Sequence, residues 1–269
     1  MRKMTARLLR AAAGLALTPL VVAAPGYLPE EVLDPLMHHH YAHRGLYEKD
    51  QSIPENSLPA FERACAAGYG SELDVQLSKD GQVVVFHDDD LKRVCGVDRP
   101  VVDLTFAELE ELSLCGTKEK IPLFTDVLSV VAGRTPLIVE LKTGKRNKEL
   151  CEKTLAILQS YAGVYCVESF DPSIVFWFRR HAPQIVRGQL AMAKANYNPN
   201  AMGGFGPVLL SNTCFNVFAR PHFIAYQVGE KAPLAKLSEW MGAVKVGWVT
   251  HAPEEEKPYD ISIFEWYLP

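Results

Sequence analysis

Five apolar runs in this chain end in groups that a hydrophobic core would not select. They are His43-Arg44 in "YAHRG", Glu72 and Asp74 in "SELDVQL", His87-Asp88 in "QVVVFHD", Glu140 and Lys142 in "PLIVELK", and Glu168 in "VYCVESF". Side chains two residues apart on a strand point to one side, so Glu72 and Asp74 form a carboxylate pair, and Glu140 with Lys142 a carboxylate and an ammonium. If these strand ends converge, three carboxylates facing one another cannot all stay ionised without a cation. Oxygen donors of this kind suit one divalent ion, Mg²⁺ or Ca²⁺, and the residue types do not separate the two. Taken singly, each group has a plainer use, as a salt-bridged rim pair or a hydrogen-bonded histidine; their coincidence on successive strand ends is what points to chemistry. The run His38-His39-His40 reads as structural or solvated, because alternate side chains face opposite ways and no carboxylate accompanies it.

Elements able to bring these groups together follow from the pattern after Tyr41, where short apolar runs alternate with longer amphipathic stretches. Strands are expected over 41–45, 71–77, 82–88, 136–142, 164–170, 187–191, 223–228, 244–250 and 261–265. Helix signals lie between them: "SLPAFERACAAGY" with Ser57 as cap, "TFAELEELSL" with Thr105 as cap and Glu108 three residues on, and "KELCEKTLAILQSY". The pattern reads as an α/β, TIM-type (β/α)8 barrel. Nine strands are one too many for it, and the four residues 78–81 are too few for a crossover helix, so one of the runs 71–77 and 82–88 must stand outside the repeat. The Gly- and Asn-rich, then apolar, stretch 192–221 reads as an altered strand-to-helix connection on the catalytic face, whose apolar half covers the pocket, touches a bilayer, or packs on the sheet as an ordinary barrel helix.

With 269 residues and 48% hydrophobic content, the chain can bury one large core. Its formal charge is −4, but four basic residues lie among the first ten, and residues 11–269 carry −8. A nucleic-acid partner is disfavoured, since binding phosphate backbones needs a positive face. The six cysteines show no C-x-x-C pair and read as buried thiols. The basic N-terminus runs into a stretch uncharged from Ala11 to Pro29, a membrane anchor or signal segment over 1–29, followed by one catalytic domain over 37–269. That places the protein at a membrane with its catalytic domain extracytoplasmic, or, after cleavage, outside the cell.

In order and spacing, "HRG", "PENSLPAF", "GYGSELDVQLSKDGQVVVFHD", "LKRVCG", "IPLFTDVL" and "IVELK" resemble the successive motifs of the glycerophosphodiester phosphodiesterase family. The likeness is close over about 41–191 and weak beyond. It implies a TIM-type barrel that hydrolyses small-molecule glycerophosphodiesters, or lysolipids, to glycerol 3-phosphate and an alcohol. By the same resemblance Glu72, Asp74 and Glu140 match the metal ligands, His43 and His87 the acid/base pair, and Arg44 and Lys142 the phosphate-binding cations. Gly45 is expected to let the backbone turn close to the substrate. Trp248 in "KVGWVT" matches a residue that packs on glycerol carbons, while "ISIFEWYLP" departs from the family's ending and puts Glu265 roughly where an Asp would stand. The resemblance extends to a membrane-anchored bacterial branch.

Three other readings compete. A phospholipase C- or D-like enzyme acting on intact or lyso-lipids shares the histidine and metal logic. A non-catalytic phosphodiester-binding barrel would have lost a ligand or a histidine, and none is lost. A metal amidohydrolase needs further histidines on later strands, which the sequence lacks. No G-x-S-x-G or G-x-x-x-x-G-K-[ST] motif occurs, which disfavours serine-hydrolase and P-loop chemistry.

Overall fold

The structure, a computed structural model, describes residues 17–269. Residues 1–16 of the expected anchor or signal segment, its basic cluster included, therefore lie outside the described residues. Nine strands form: β1 (His40–Ala42), β2 (Gly70–Leu77), β3 (Val83–Val85), β4 (Leu137–Leu141), β5 (Tyr165–Ser169), β6 (Arg187–Ala191), β7 (Phe223–Gln227), β8 (Val244–Thr250) and β9 (Ile261–Phe264). Eight of them run parallel and close into a barrel, because β1 pairs with both β2 and β9. The supernumerary strand is β3, which pairs antiparallel with β2 alone. The chain returns through a turn in which Gly81, at φ +79°, donates its N–H to the Ser78 carbonyl.

Alternation along each strand sorts the side chains into two cores. Outward-facing Leu73, Val75, Leu137, Val139 and Val167 pack on the surrounding helices, Leu58–Ala66, Phe124–Val131, Asn147–Leu158 and Pro172–His181 among them. Inward-facing Ile138, Cys166, Val246 and Ile261 fill the lower barrel, and helix Glu30–Met37 plugs its floor with Leu36, which is fully buried. Burying a side chain of this kind contributes roughly 1.5–3 kcal/mol. Two residues further up the same strands the pattern turns polar: Glu140 follows Ile138 on β4, and Glu168 follows Cys166 on β5. The upper barrel thus sits on an apolar plug.

Residues 86–123 leave the barrel and build a small core of their own from Phe86, Leu91, Val94, Leu109 and Leu114. The expected cap at Thr105 forms, with reciprocal hydrogen bonds between Thr105 and Glu108. Ser57 does not cap its helix; its hydroxyl donates instead to the Pro54 carbonyl at 2.6 Å. All six cysteines are unpaired thiols. At the N-terminal side, residues 17–23 are helical and end against the floor, where Arg220 donates to the Val21 and Ala24 carbonyls. Among the described residues, no helix is long and apolar enough to cross a membrane.

Candidate active site

The parallel register places Asp74 of β2 opposite Glu140 of β4, and Glu140 opposite Glu168 of β5, in one row across the upper barrel. Glu72 lies two residues below Asp74 on the same side. Glu72, Asp74 and Glu140 each offer an oxygen, and the three lie within 4.8 Å of one another. All three are buried. Lys142 Nζ stands 2.9 Å from Glu140 and 3.3 Å from Asp74, and Arg44 Nε 3.6 Å from Asp74. The Asn56 amide donates to Asp74 Oδ2 at 2.8 Å, which leaves Asp74 Oδ1 buried without a hydrogen-bond partner.

These charges do not settle alike. Burial, reinforced by Asp74, Glu140 and Glu168, pushes the Glu72 carboxyl well above the usual range. Burial also raises Glu140, although Lys142 opposes it, and raises Glu168, next to Glu140 and Asp74. Asp74 goes the other way, because Lys142, His87 and Arg44 together outweigh the burial that would raise it. The donor set is thus all oxygen, mutually repelling, and includes a buried Asp74 oxygen that accepts no hydrogen bond and has only the Lys142 ammonium near it. It fits a hard divalent cation held by Glu72, Asp74 and Glu140.

Both histidines stand at this cluster, each held by a carboxylate. His43 Nδ1 is 2.7 Å from Glu265 Oε1, a carboxylate that also accepts from the Tyr47 hydroxyl, and the opposite ring nitrogen faces Glu72 at 3.9 Å. Burial and the neighbouring Arg44 lower the His43 pKa, against the pull of Glu265. His87 Nδ1 is 2.7 Å from Asp88, which Arg93 also binds. Arg93 forks onto Glu55, and Glu55 in turn accepts from Arg44 at 2.7 Å. Gln76, the next inward residue of β2, donates to the backbone carbonyls of Phe86 and Asp88 and so fixes the loop that carries His87. The supporting residues Glu55, Asn56 and Arg93 lie inside the motifs "PENSLPAF" and "LKRVCG", but their roles were not legible there. A carboxylate three residues before a helix and an arginine in a short loop carry no periodic signal.

The loop after β1 corrects one detail. β1 ends at Ala42 rather than Gly45, because Arg44 takes a left-handed conformation at φ 55°, in which its N–H donates to Glu72 Oε2 at 3.0 Å. Such strain in a non-glycine residue persists where surrounding contacts enforce it. Gly45 has a packing role of its own. At φ +78°, a Cβ there would lie 2.9 Å from the backbone of Ala60, so the glycine lets this loop close on the helix Leu58–Ala66. Trp248 is half-buried, with its indole N–H donating to the carbonyls of Ala191 and Ala225 and its ring edge-on to Phe170 at 5.4 Å.

After β6 the chain stays at the upper rim, where Asn196 bonds Gln227 at the end of β7, and then descends as helices Gly206–Ser211 and Asn216–Ala219. With helix Pro172–His181, this stretch lines an open apolar pocket of about 630 Å³.

A model of the Glycerophosphoryl diester phosphodiesterase family matches residues 43–212. A glycerophosphodiester phosphodiesterase of Caldanaerobacter subterraneus subsp. tengcongensis is 38% identical over 112 residues, 38% of this chain and 44% of the relative. A lysophospholipase D of Rattus norvegicus is 31% identical over 156 residues, 53% of this chain and 48% of the relative. The chain spans about half the length of these relatives. The fold is shared with an Oleispira antarctica phosphodiesterase solved in complex with the product sn-glycerol-3-phosphate, at a TM-score of 0.68 and 20% identity over 85% of this chain and 93% of that one. With the carboxylate cluster on its barrel strands and the family match running over more than half of its length, the chain belongs to the glycerophosphoryl diester phosphodiesterase family.

Proposed function

We propose that this protein is a metal-dependent phosphodiesterase that hydrolyses glycerophosphodiesters to glycerol 3-phosphate and an alcohol. The observation that carries the reading is a buried three-carboxylate cluster with two histidines beside it, each on its own carboxylate, and two cations, Arg44 and Lys142, against the same cluster. Glu72, Asp74 and Glu140 hold one divalent cation, Mg²⁺ or Ca²⁺, which when bound neutralises the phosphate and acidifies the attacking hydroxyl. The Arg44 guanidinium offers a planar fork to a phosphate oxygen and Lys142 a point charge. His43 accepts the proton of the glycerol 2-hydroxyl as that oxygen bonds to phosphorus. The bond from phosphorus to the departing alcohol breaks, and His87 supplies the proton that the alcohol takes. Water then opens the cyclic phosphate to glycerol 3-phosphate. Trp248 packs on the glycerol carbons. The activity of the Caldanaerobacter relative and the product bound by the Oleispira protein support this substrate class. The basic, then apolar, N-terminus supports a position at a membrane, with the catalytic domain extracytoplasmic or released by cleavage.

The test is release of glycerol 3-phosphate from a panel of glycerophosphodiesters with and without chelator. Activity is expected to vanish with chelator and to return with Mg²⁺ or Ca²⁺. Full turnover in excess chelator would remove the metal from the proposal.

A further inference from the structure

One wall of the barrel, away from the carboxylate cluster, carries apolar side chains that the reaction does not use. Phe176, Met202, Phe205, Val208 and Phe218 are exposed to between 39% and 74%. Phe176, Met202 and Phe218 meet around the open apolar pocket beside helix Pro172–His181, whose lining includes none of the carboxylates, histidines or cations of the mouth. Phe205 and Val208 follow Met202 on the same stretch of chain. The N-terminal side joins this wall as well. Helical residues 17–23 expose Leu17 and Val21, four residues apart on one helix face, and Arg220, two residues after Phe218, donates to the Val21 carbonyl at 3.0 Å. Contiguous exposed apolar surface of this kind marks a site of interaction.

Arginines edge the wall. Arg179 donates to the Phe218 carbonyl, and Arg180 is exposed one turn along the helix from Phe176. Among the described residues, none of Arg179, Arg180 and Arg220 forms an ion pair. Burial lowers the pKa of both Arg187 and Arg220, and the nearby Arg179 lowers both further, so these guanidinium groups share one region of uncompensated positive charge. The chain reaches the wall from a stretch that is uncharged from Ala11 onward and is preceded by Arg2, Lys3, Arg7 and Arg10. Aromatic and apolar side chains bordered by unpaired arginines, fed by a basic and then apolar segment, match the layering of a bilayer surface, with acyl chains beneath and anionic headgroups around them.

We propose that this wall docks on an anionic lipid bilayer, with Met202, Phe205 and Phe218 sunk at the boundary between headgroups and acyl chains and Arg179, Arg180 and Arg220 against lipid phosphates. The carboxylate cluster opens at the upper end of the barrel, across from neither lipid nor pocket, so the docked protein keeps its mouth open to diffusible substrate. This docking does not depend on the reaction proposed for the mouth.

The experiment follows amide hydrogen exchange of the full chain with vesicles of phosphatidylcholine alone and of phosphatidylcholine mixed with phosphatidylglycerol. Exchange is expected to slow over residues 172–181, 202–218 and 17–23 on the mixed vesicles and to stay unchanged over 86–123. Protection confined to the residues before Ala24 would show that the N-terminal stretch binds by itself and would overturn the docking wall; equal protection on the neutral vesicles would overturn the part given to the arginines. Vesicle flotation reads the single groups. Phe205→Ser is expected to weaken partition onto mixed vesicles about tenfold, and Arg180→Gln about fivefold, which corresponds to about 1 kcal/mol for an arginine at an anionic surface. Both side chains are exposed, and unchanged thermal melting reports an intact fold; the exchange pattern needs no variant and decides the matter if one fails to fold. Variants that partition like the parent would overturn the proposal. A dimer that forms without vesicles and that Phe205→Ser dissociates would assign the wall to a second copy of the chain instead.

Discussion

The two ends of the barrel use the same residue types to opposite ends. At the floor, Arg187 is buried without a carboxylate, and its guanidinium donates to the carbonyls of Pro183, Ala219 and Arg220. His222 beside it accepts the Arg187 backbone N–H at 3.1 Å, and burial, with Arg187 near, pushes its pKa down to about 3. At the mouth, Asp74 Oδ1, Glu168 Oε2, Asn56 Oδ1 and Arg44 Nε are buried without hydrogen-bond partners, and like charges face one another. Arg187 and His222 at the floor are satisfied by backbone. Those atoms at the mouth go without hydrogen bonds, and Asp74 Oδ1 and Arg44 Nε have only ion pairs there. Stability is built at one end of the barrel and the capacity to bind an ion and a phosphate is stored at the other.

The contrast is tested most sharply at Glu72. Glu72→Gln is expected to lower kcat on the order of 10³-fold, the loss of several kcal/mol of charge stabilisation, yet to raise the stability of the metal-free protein by about 1 kcal/mol through relief of like-charge repulsion. Assay kinetics and urea unfolding in chelator check the two halves; a destabilised Gln variant would mean that the mouth is built like the floor.

The histidines come next. Each is expected to contribute about 10²–10⁴ in rate. His87→Ala should be slow on an alkyl glycerophosphodiester and nearly normal on an aryl one, whose phenolate departs without a proton, while His43→Ala is slow on both. Equal losses for His87→Ala on the two substrates would remove it as general acid, and the reversed pattern would exchange the roles.

A smaller effect is expected one step out from the reaction. Glu265→Gln keeps the shape but withdraws the carboxylate that orients His43, and should lower kcat by about 10–100-fold, the range for partners of this type, with KM little changed. A loss confined to KM would show that Glu265 contacts substrate instead.

At the floor no rate is involved. The folded pKa of His222 lies below the unfolded value of about 6.5, so its contribution to stability is complete above that pH and is lost as pH falls toward 3. At pH 5 the loss is about 2 kcal/mol. His222→Gln should remove that part of the difference in unfolding free energy between pH 7 and pH 5, measured by urea titration against the parent. An unchanged difference would place the titrating group elsewhere.

Local pattern carried much of this protein. Strands 187–191 and 244–250 have the bounds that their apolar runs predict, and the capping box at Thr105 and Glu108 forms as spaced, because each depends on neighbours within a few residues. The candidate ligands Glu72, Asp74 and Glu140 were legible for the same reason: the two-residue period of a strand puts charges on one side whatever packs around it. What sequence alone could not assign was each group's partner. Glu265 meets His43 across 222 residues of chain, and Arg93 meets Glu55 across 38, through closure of β9 on β1 and through the small core of residues 86–123. The packing need at Gly45 was not legible because it arises from Ala60 on another element. Residues 192–221 could equally have been a lid or a barrel helix; they line a cavity at the rim and also descend beside helix Pro172–His181. Periodicity determines which side of an element a residue takes, and so the sequence by itself determined the barrel and the acids within it. The distances, partners and unequal protonation that turn those acids into a site depend on elements far apart in the chain, and only the closed barrel decides them.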